Sequence, residues 1–285
     1  RLSDYSPAIG SGTSIGAPII DIEGNPRPNP VGSNPDMGAY ENLKGAPVEI
    51  TRYHVSTSGS SNNFGLSDSP MSSIQTAIDA SSDGDTVLVS AGTYTENINF
   101  NGKNIVIKSV EGPLTTILVP ANSFIPVVRF INNETAGAFL SGFTIKDGGD
   151  LRGSGIYVNG SSPTIENFKI TNCEQHAFAT IHSSSEIKSC LIVNNTKGIF
   201  FDVNGQALGP KLINSTISNN SFGAESSLLN GIPEIINSII FNNEIGNITG
   251  GMIISYSLVG GFSSGIGNID SNPIFVDAEN GDYRL

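Results

Sequence analysis

The sequence predicts an all-β solenoid, and three observations predict it. A ten-residue phrase recurs with drift: TIENFKITNC from Thr164, EIKSCLIVNN from Glu186, KLINSTISNN from Lys211 and EIINSIIFNN from Glu234, with starts 22, 25 and 23 residues apart. A period in that range is one coil of a stacked repeat. The composition is turn-rich and β-rich, with 33 glycines, no tryptophan and only 14% charged residues. Aligned on their first aliphatic, the repeats also keep two columns apolar throughout.

The chain is entered through SPMSSIQTAIDA, from Ser69. Pro70 suits a first helical turn, and Ile74, Ala77 and Ile78 share one helical face. A helix over about 70–80 is therefore expected, covering the open end of the solenoid and its unpaired strand edges. DGDTVLVSAGTYTENINF, from Asp83, supplies the first coil. NIVIKSV and TTILVP follow as further strands, and 125–130 reads as another short buried one.

The regular coils then set the columns. Leu140, Ile165, Ile187, Leu212, Ile235 and Ile254 form one inward column, and Ile145, Ile170, Ile192, Ile217, Ile240 and Val259 the other. Two residues beyond the second lie Asp147, Asn172, Asn194, Asn219, Asn242 and Gly261. A side-chain amide carries both donor and acceptor, so asparagines stacked at a corner can bond one another and the backbone of adjacent coils. Asn172, Asn194, Asn219 and Asn242 are expected as a buried ladder with the ~4.8 Å spacing of neighbouring strands. Gly198, Gly223 and Gly246 are expected at the next bend. Sequons stand at Asn133, Asn159, Asn194, Asn214, Asn219 and Asn247; burial of the ladder would make those at Asn194 and Asn219 by-products of composition.

Cys190 falls in the column of Phe143, Phe168, Ser215, Ser238 and Ser257, and Cys173 in that of Asn195. Five columns span ~16 Å of extended chain, against the ~7 Å limit for a disulfide. Two free thiols are expected.

These columns resemble the right-handed parallel β-helix of the pectate-lyase-like superfamily, over roughly 55–259. The resemblance is specific for fold; lyases, hydrolases, adhesins and tailspikes share it. The two ends carry a second resemblance. SNPIFVDAENGDYRL closes the chain, and RLSDYSPAIGSGT, DIEGNPRP and PDMGAYE follow one another near its start. Joined through the shared RL, they are similar to the choice-of-anchor Q motif of bacterial surface β-helix proteins. That resemblance implies a tandem array or filament, with residues 1–47 as the tail of a preceding unit, 48–270 as the β-helix and 271–285 as the start of the next motif. Arg1, Tyr5, Ile9, Tyr40, Phe275 and Tyr283 are then the expected assembly residues, and copies of the chain are head-to-tail partners.

Function is less defined. With 14 Lys plus Arg against 26 Asp plus Glu, the formal charge is −12, which disfavours nucleic acid. No run of apolar residues is long enough to span a membrane. In DIEGN, Asp21, Glu23 and Asn25 alternate like the start of a calcium loop. Asp277 and Asp282 form a second acidic group, so Ca2+ is a candidate ligand. The outward columns Lys146/Thr171/Val193/Ser218/Phe241, Thr144/Lys169/Leu191/Thr216/Ile239 and Ser141/Glu166/Lys188/Ile213/Ile236 stack no acids on consecutive coils. The one mixed charge group is Lys146, Asp147, Asp150, Arg152, Glu174 and His176, the candidate catalytic or glycan-binding cluster. The sequence is thus read as a structural unit of an extracellular bacterial fibre, stalk or adhesin. The alternative is a polysaccharide lyase, hydrolase or glycan-binding module using the groove of the helix.

Overall fold

A computed structural model describes residues 2–149, 154–203, 209–227 and 232–285. The chain divides into two compact units, 1–51 and 52–285.

The first unit is nearly without regular structure and is tied together by buried carboxylates. Asp21 Oδ1 accepts the N–H groups of Glu23 and Asn25, and Oδ2 accepts Asn25 Nδ2 and the Glu41 N–H. Asp36 takes the N–H groups of Gly10 and Asn42. Glu41 takes the N–H of Asn29 and pairs with Arg27 Nε at 2.8 Å. Each acid thus joins segments far apart in sequence, where no strand ladder is available to satisfy the backbone.

The second unit is the right-handed parallel β-helix. Its described strands form three parallel sheets. Arg52–Val55, Thr86–Val89, Val106–Ser109, Phe139–Ser141, Thr164–Glu166, Glu186–Lys188, Lys211–Ile213, Glu234–Ile236 and Ile253–Ser255 make the first. The second runs from Gly92–Thr95 to Leu258–Val259, and the third from Ile98–Asn99 to Gly246–Thr249. One coil contributes one strand to each sheet, so every inner position stacks on its own kind. Both aliphatic columns pair as expected: Leu140 with Ile165, Ile187 with Leu212, Ile145 with Ile170 and Ile217 with Ile240. All are buried. Each fully buried aliphatic contributes about 1.5–3 kcal/mol.

The capping helix is present but shorter than expected, at Ile74–Ala80, with Ser73 as its N-cap. Pro70 does not start it, because Met71 is still paired with Val55 as an extended bridge. Ile74, Ala77 and Ile78 are buried against the first strands, as their spacing predicts.

Side chains of the expected column do bond along it, Asn219 Nδ2 donating to Asn194 Oδ1 and Asn172 Nδ2 to Asp147 Oδ1 at 3.5 Å, but the buried ladder lies one residue further on. Asn172, Asn194, Asn219 and Asn242 are exposed and left-handed, with φ of 56–59°. The residue after each turns inward. Asn195 Nδ2 donates to Asn220 Oδ1 at 3.0 Å and to the carbonyls of Ile170 and Val193. Asn220 repeats this with Asn243, and Asn247 closes the row by accepting from Asn243. The corner needs one residue at positive φ, which asparagine tolerates with its side chain in water; only the following residue can point into the core. Asn194 and Asn219 are accordingly open to solvent, so burial gives no argument against their sequons.

A second ladder occupies the other corner. The N–H groups of Cys190, Ser215 and Ser238 donate to the hydroxyls of Ser215, Ser238 and Ser257 at 3.0–3.2 Å. Both cysteines are free and buried, as the register requires. Gly198 and Gly223 are not needed for a bend: a Cβ there would meet the carbonyl of the next coil at 2.3 Å. Gly246 leaves this column, since Phe222 pairs with Gly246 and the glycine row continues into Asn247.

Candidate functional site

The longest described strands lie in the third sheet, at His176–Ile181, Lys197–Asp202 and Phe222–Ser226. Their inner positions Phe178, Ile199 and Ala224 are buried, and Gly198 and Gly223 let adjacent coils approach closely. The register puts His176, Lys197 and Phe222 in one row, and Tyr157, Ala179, Phe200 and Glu225 in another.

Across these rows His176 Nε2 meets Glu225 Oε2 at 2.6 Å. Lys197 Nζ stands 3.6 Å from the same oxygen and 5.6 Å from the Phe222 ring centre. The Phe200 ring lies 5.0 Å from the imidazole. The His176 and Glu225 side chains are 8% and 17% exposed, so the pair is largely shielded from solvent. A carboxylate held between two basic groups beside aromatic rings can orient an imidazole and exchange a proton with it. Arg129 continues the second row beyond Tyr157. Among the described residues its Nε is buried without a hydrogen-bond partner. Asp202 lies two residues past Phe200 on the same strand, its Oδ1 accepting the Ser227 hydroxyl at 3.0 Å.

The cluster expected from sequence is only partly assembled. Lys146 and Asp147 form an exposed pair at 3.6 Å. Glu174 is exposed, its N–H bonded to the Gly148 carbonyl. Asp150 and Arg152 lie outside the described residues. His176 is joined instead to Glu225 and Lys197, which the sequence reading missed. Their signal was the outward rows of the third sheet, whereas the columns read were those of the other two.

The calcium candidates have structural uses. Four N–H donors occupy the Asp21 carboxylate and hold its pKa far below the usual range, the Asn25 amide contributing most. Asp277 caps the short turn Ala278–Asn280 through the N–H and side-chain amide of Asn280. Asp282 is paired with Arg284, whose hydrogen bonds draw its pKa down to about 2. Among the described residues no group of three or more His, Cys, Asp or Glu side chains is arranged to hold a metal ion. No described helix is long and apolar enough to cross a membrane.

Of the expected assembly residues, Ile9 is buried in its own unit and Tyr5 and Tyr40 are half-buried. Phe275 packs edge-on against Tyr283 at 5.2 Å. Arg1 lies outside the described residues.

No family model and no curated protein matches the chain. Solved structures resemble it in fold. The pectate lyase Pel9A is 18% identical, with a TM-score of 0.49, over 75% of this chain and 72% of that one. The pectin methylesterase PemA from Erwinia chrysanthemi is 12% identical, with a TM-score of 0.49, over 84% of this chain and 96% of that one. A rhamnogalacturonan lyase is 14% identical, with a TM-score of 0.45, over 73% and 74%. The parallel β-helix architecture itself stands on the strand pairing of this chain.

Proposed function

We propose that this chain is an extracellular glycan-cleaving β-helix protein, with its site on the outer face of the third sheet. The His176–Glu225 contact carries the reading: an imidazole and a carboxylate at 2.6 Å, with Lys197 beside them, form an acid–base group on a regular sheet face. Phe200 and Phe222 offer apolar rings against which the C–H face of a sugar can lie. Asp202 provides a second carboxylate. With a rise of ~3.3 Å per residue and ~4.8 Å between strands, its Cα lies ~8 Å from that of Glu225. In a hydrolysis Glu225 and Asp202 would serve as the two acids of the pair. In an elimination, His176 or Lys197 would instead remove the proton.

The test is a panel of neutral and acidic polysaccharides, read for new reducing ends and for unsaturated products. His176→Ala and Glu225→Gln should each lower the rate at least ~100-fold, the scale of acid–base assistance. Wild-type rates in both variants would refute the assignment. Unsaturated products would select elimination; saturated ends would select hydrolysis. Binding without turnover would reduce the protein to a glycan-binding module.

The competing reading is the head-to-tail fibre unit. It draws on the order in which the two terminal sequences join and on exposed Ile15, Ile19, Val31, Ile274 and Val276 in those segments. It requires open-ended polymers in solution, visible by light scattering and electron microscopy.

A further inference from the structure

We infer that Arg129 is a subsite for an anionic group of the bound glycan, a carboxylate or a sulfate, several sugar units from the acid–base pair; the assignment rests on the outer face of the third sheet being the glycan site. A guanidinium has five N–H donors and no acceptor. Arg27 and Arg284 are paired with Glu41 and Asp282. Among the described residues Arg129 has no such partner, and its Nε is closed to solvent without a hydrogen bond. The strands on either side, Ile98–Asn99 and Ile156–Asn159, contain no acidic residue.

An exposed arginine leaves its N–H groups to water. A half-buried one with a covered, unmet Nε keeps a desolvation cost that an acceptor would remove. On a chain with 26 acids, none is placed to be that acceptor, so the group is open to one from outside. The planar fork of Nε and a terminal nitrogen fits two oxygens of one oxyanion. A neutral sugar hydroxyl meets only part of that demand, which makes Arg129 a discriminating group.

The register ties this group to the acid–base pair. Arg129, Tyr157, Ala179, Phe200 and Glu225 are successive partners on five neighbouring strands. At ~4.8 Å per strand, the Arg129 and Glu225 Cα atoms are ~19 Å apart. Between them stand the half-buried rings of Tyr157 and Phe200, with the small Ala179 separating the two. Rings of this kind take the C–H face of a sugar. A glycan lying along the helix axis would thus rest on both rings, with its charge at Arg129 and its reacting bond at Glu225.

Calorimetric titration of the full chain with uronate, sulfated and neutral oligosaccharides long enough to cover the row tests this. One of the two charged kinds should bind at least ~10-fold more tightly than the neutral kind, and which one it is tells carboxylate from sulfate. Arg129→Gln should bring the charged kind down to the neutral level, and Arg129→Lys should recover only part, because an ammonium lacks the planar fork. Melting curves establish that both variants fold. His176→Ala should keep the preference for charge. The subsite is overturned if wild type binds charged and neutral chains alike, if it binds neither, or if folded Arg129→Gln keeps the preference. A preference that depends on Arg129 in a protein without turnover would sink the enzymatic reading and leave the subsite standing. Turnover that depends on His176 but not on Arg129, with no preference for charge, would do the reverse.

Discussion

Glu96 caps Ile74 from another coil: its Oε1 accepts the Ile74 N–H at 2.9 Å. The same carboxylate takes the Gln75 N–H and the Ser73 hydroxyl through Oε2. At the other end Lys103 Nζ donates to the carbonyls of Ile78, Asp79 and Ser81. A seven-residue helix is too short to hold itself in water. Here a carboxylate at its start and an ammonium at its end, both from the first coil, satisfy the orphan groups and match its dipole. Glu96→Ala should cost about 2–3 kcal/mol, since hydrogen bonds to a charged group are lost and buried donors stranded. Glu96→Gln should recover part of it. Thermal melts of the two variants against wild type measure the difference.

The ladder makes a sharper contrast between neighbours. Asn220→Ala removes bonds to the carbonyls of Ile192 and Ser218 and to Asn243, and should destabilise by about 3 kcal/mol. Asn219→Gly, one residue earlier, keeps the positive φ available and gives up only a solvent-exposed bond to Asn194, so it should cost less than about 1 kcal/mol. Equal losses at both positions, read from urea midpoints, would contradict the assignment of the buried row.

Those two asparagines also show what the sequence could convey. Inner columns such as Ile165–Ile187–Leu212 are legible because burial admits only apolar residues, and the repeat supplies the register. NN in tandem is ambiguous: both residues fit a corner, and only the backbone hand decides which one enters the core. The His176–Glu225 pair was harder still. The partners are 49 residues apart and lie two coils apart, so they meet only through the register of the third sheet. HAFATI and KGIFFD do not alternate cleanly between apolar and polar, which hid their outward positions.

The thiols should behave as core groups. Desolvation raises the Cys173 pKa to about 11 and that of Cys190 to about 12. Neither should react appreciably with a disulfide reagent at pH 8 in the folded protein, because the thiolate is the reactive form. Addition of denaturant should release both. Fast reaction of either thiol without denaturant would show that its corner opens.

Acid should loosen the first unit late. Asp21 is depressed by its N–H donors, so its folded pKa lies below the unfolded value near 3.9. The stabilisation is fully present above that unfolded value and fades as pH falls through the lower folded one. Asp21→Asn should remove this component of the acid-side slope. Tyrosine fluorescence from Tyr5 and Tyr40, compared with the β-helix signal in circular dichroism, would follow it. An unchanged acid profile in that variant would mean that Asp36 and Glu41 hold the unit without it.

One of the buried polar groups of the third sheet that lack a hydrogen-bond partner among the described residues favours replacement. Thr180 is fully buried and its hydroxyl has no hydrogen-bond partner. It pairs with Val158 on one side and Phe201 on the other, both buried. Burying an unpaired hydroxyl costs roughly 1–3 kcal/mol, and valine has nearly the same shape with a stronger strand preference. Thr180→Val should therefore stabilise the β-helix by about 1 kcal/mol, visible as a higher urea midpoint at unchanged slope. Loss of stability would show that the hydroxyl is satisfied in solution, by a buried water bridging it to a neighbouring coil.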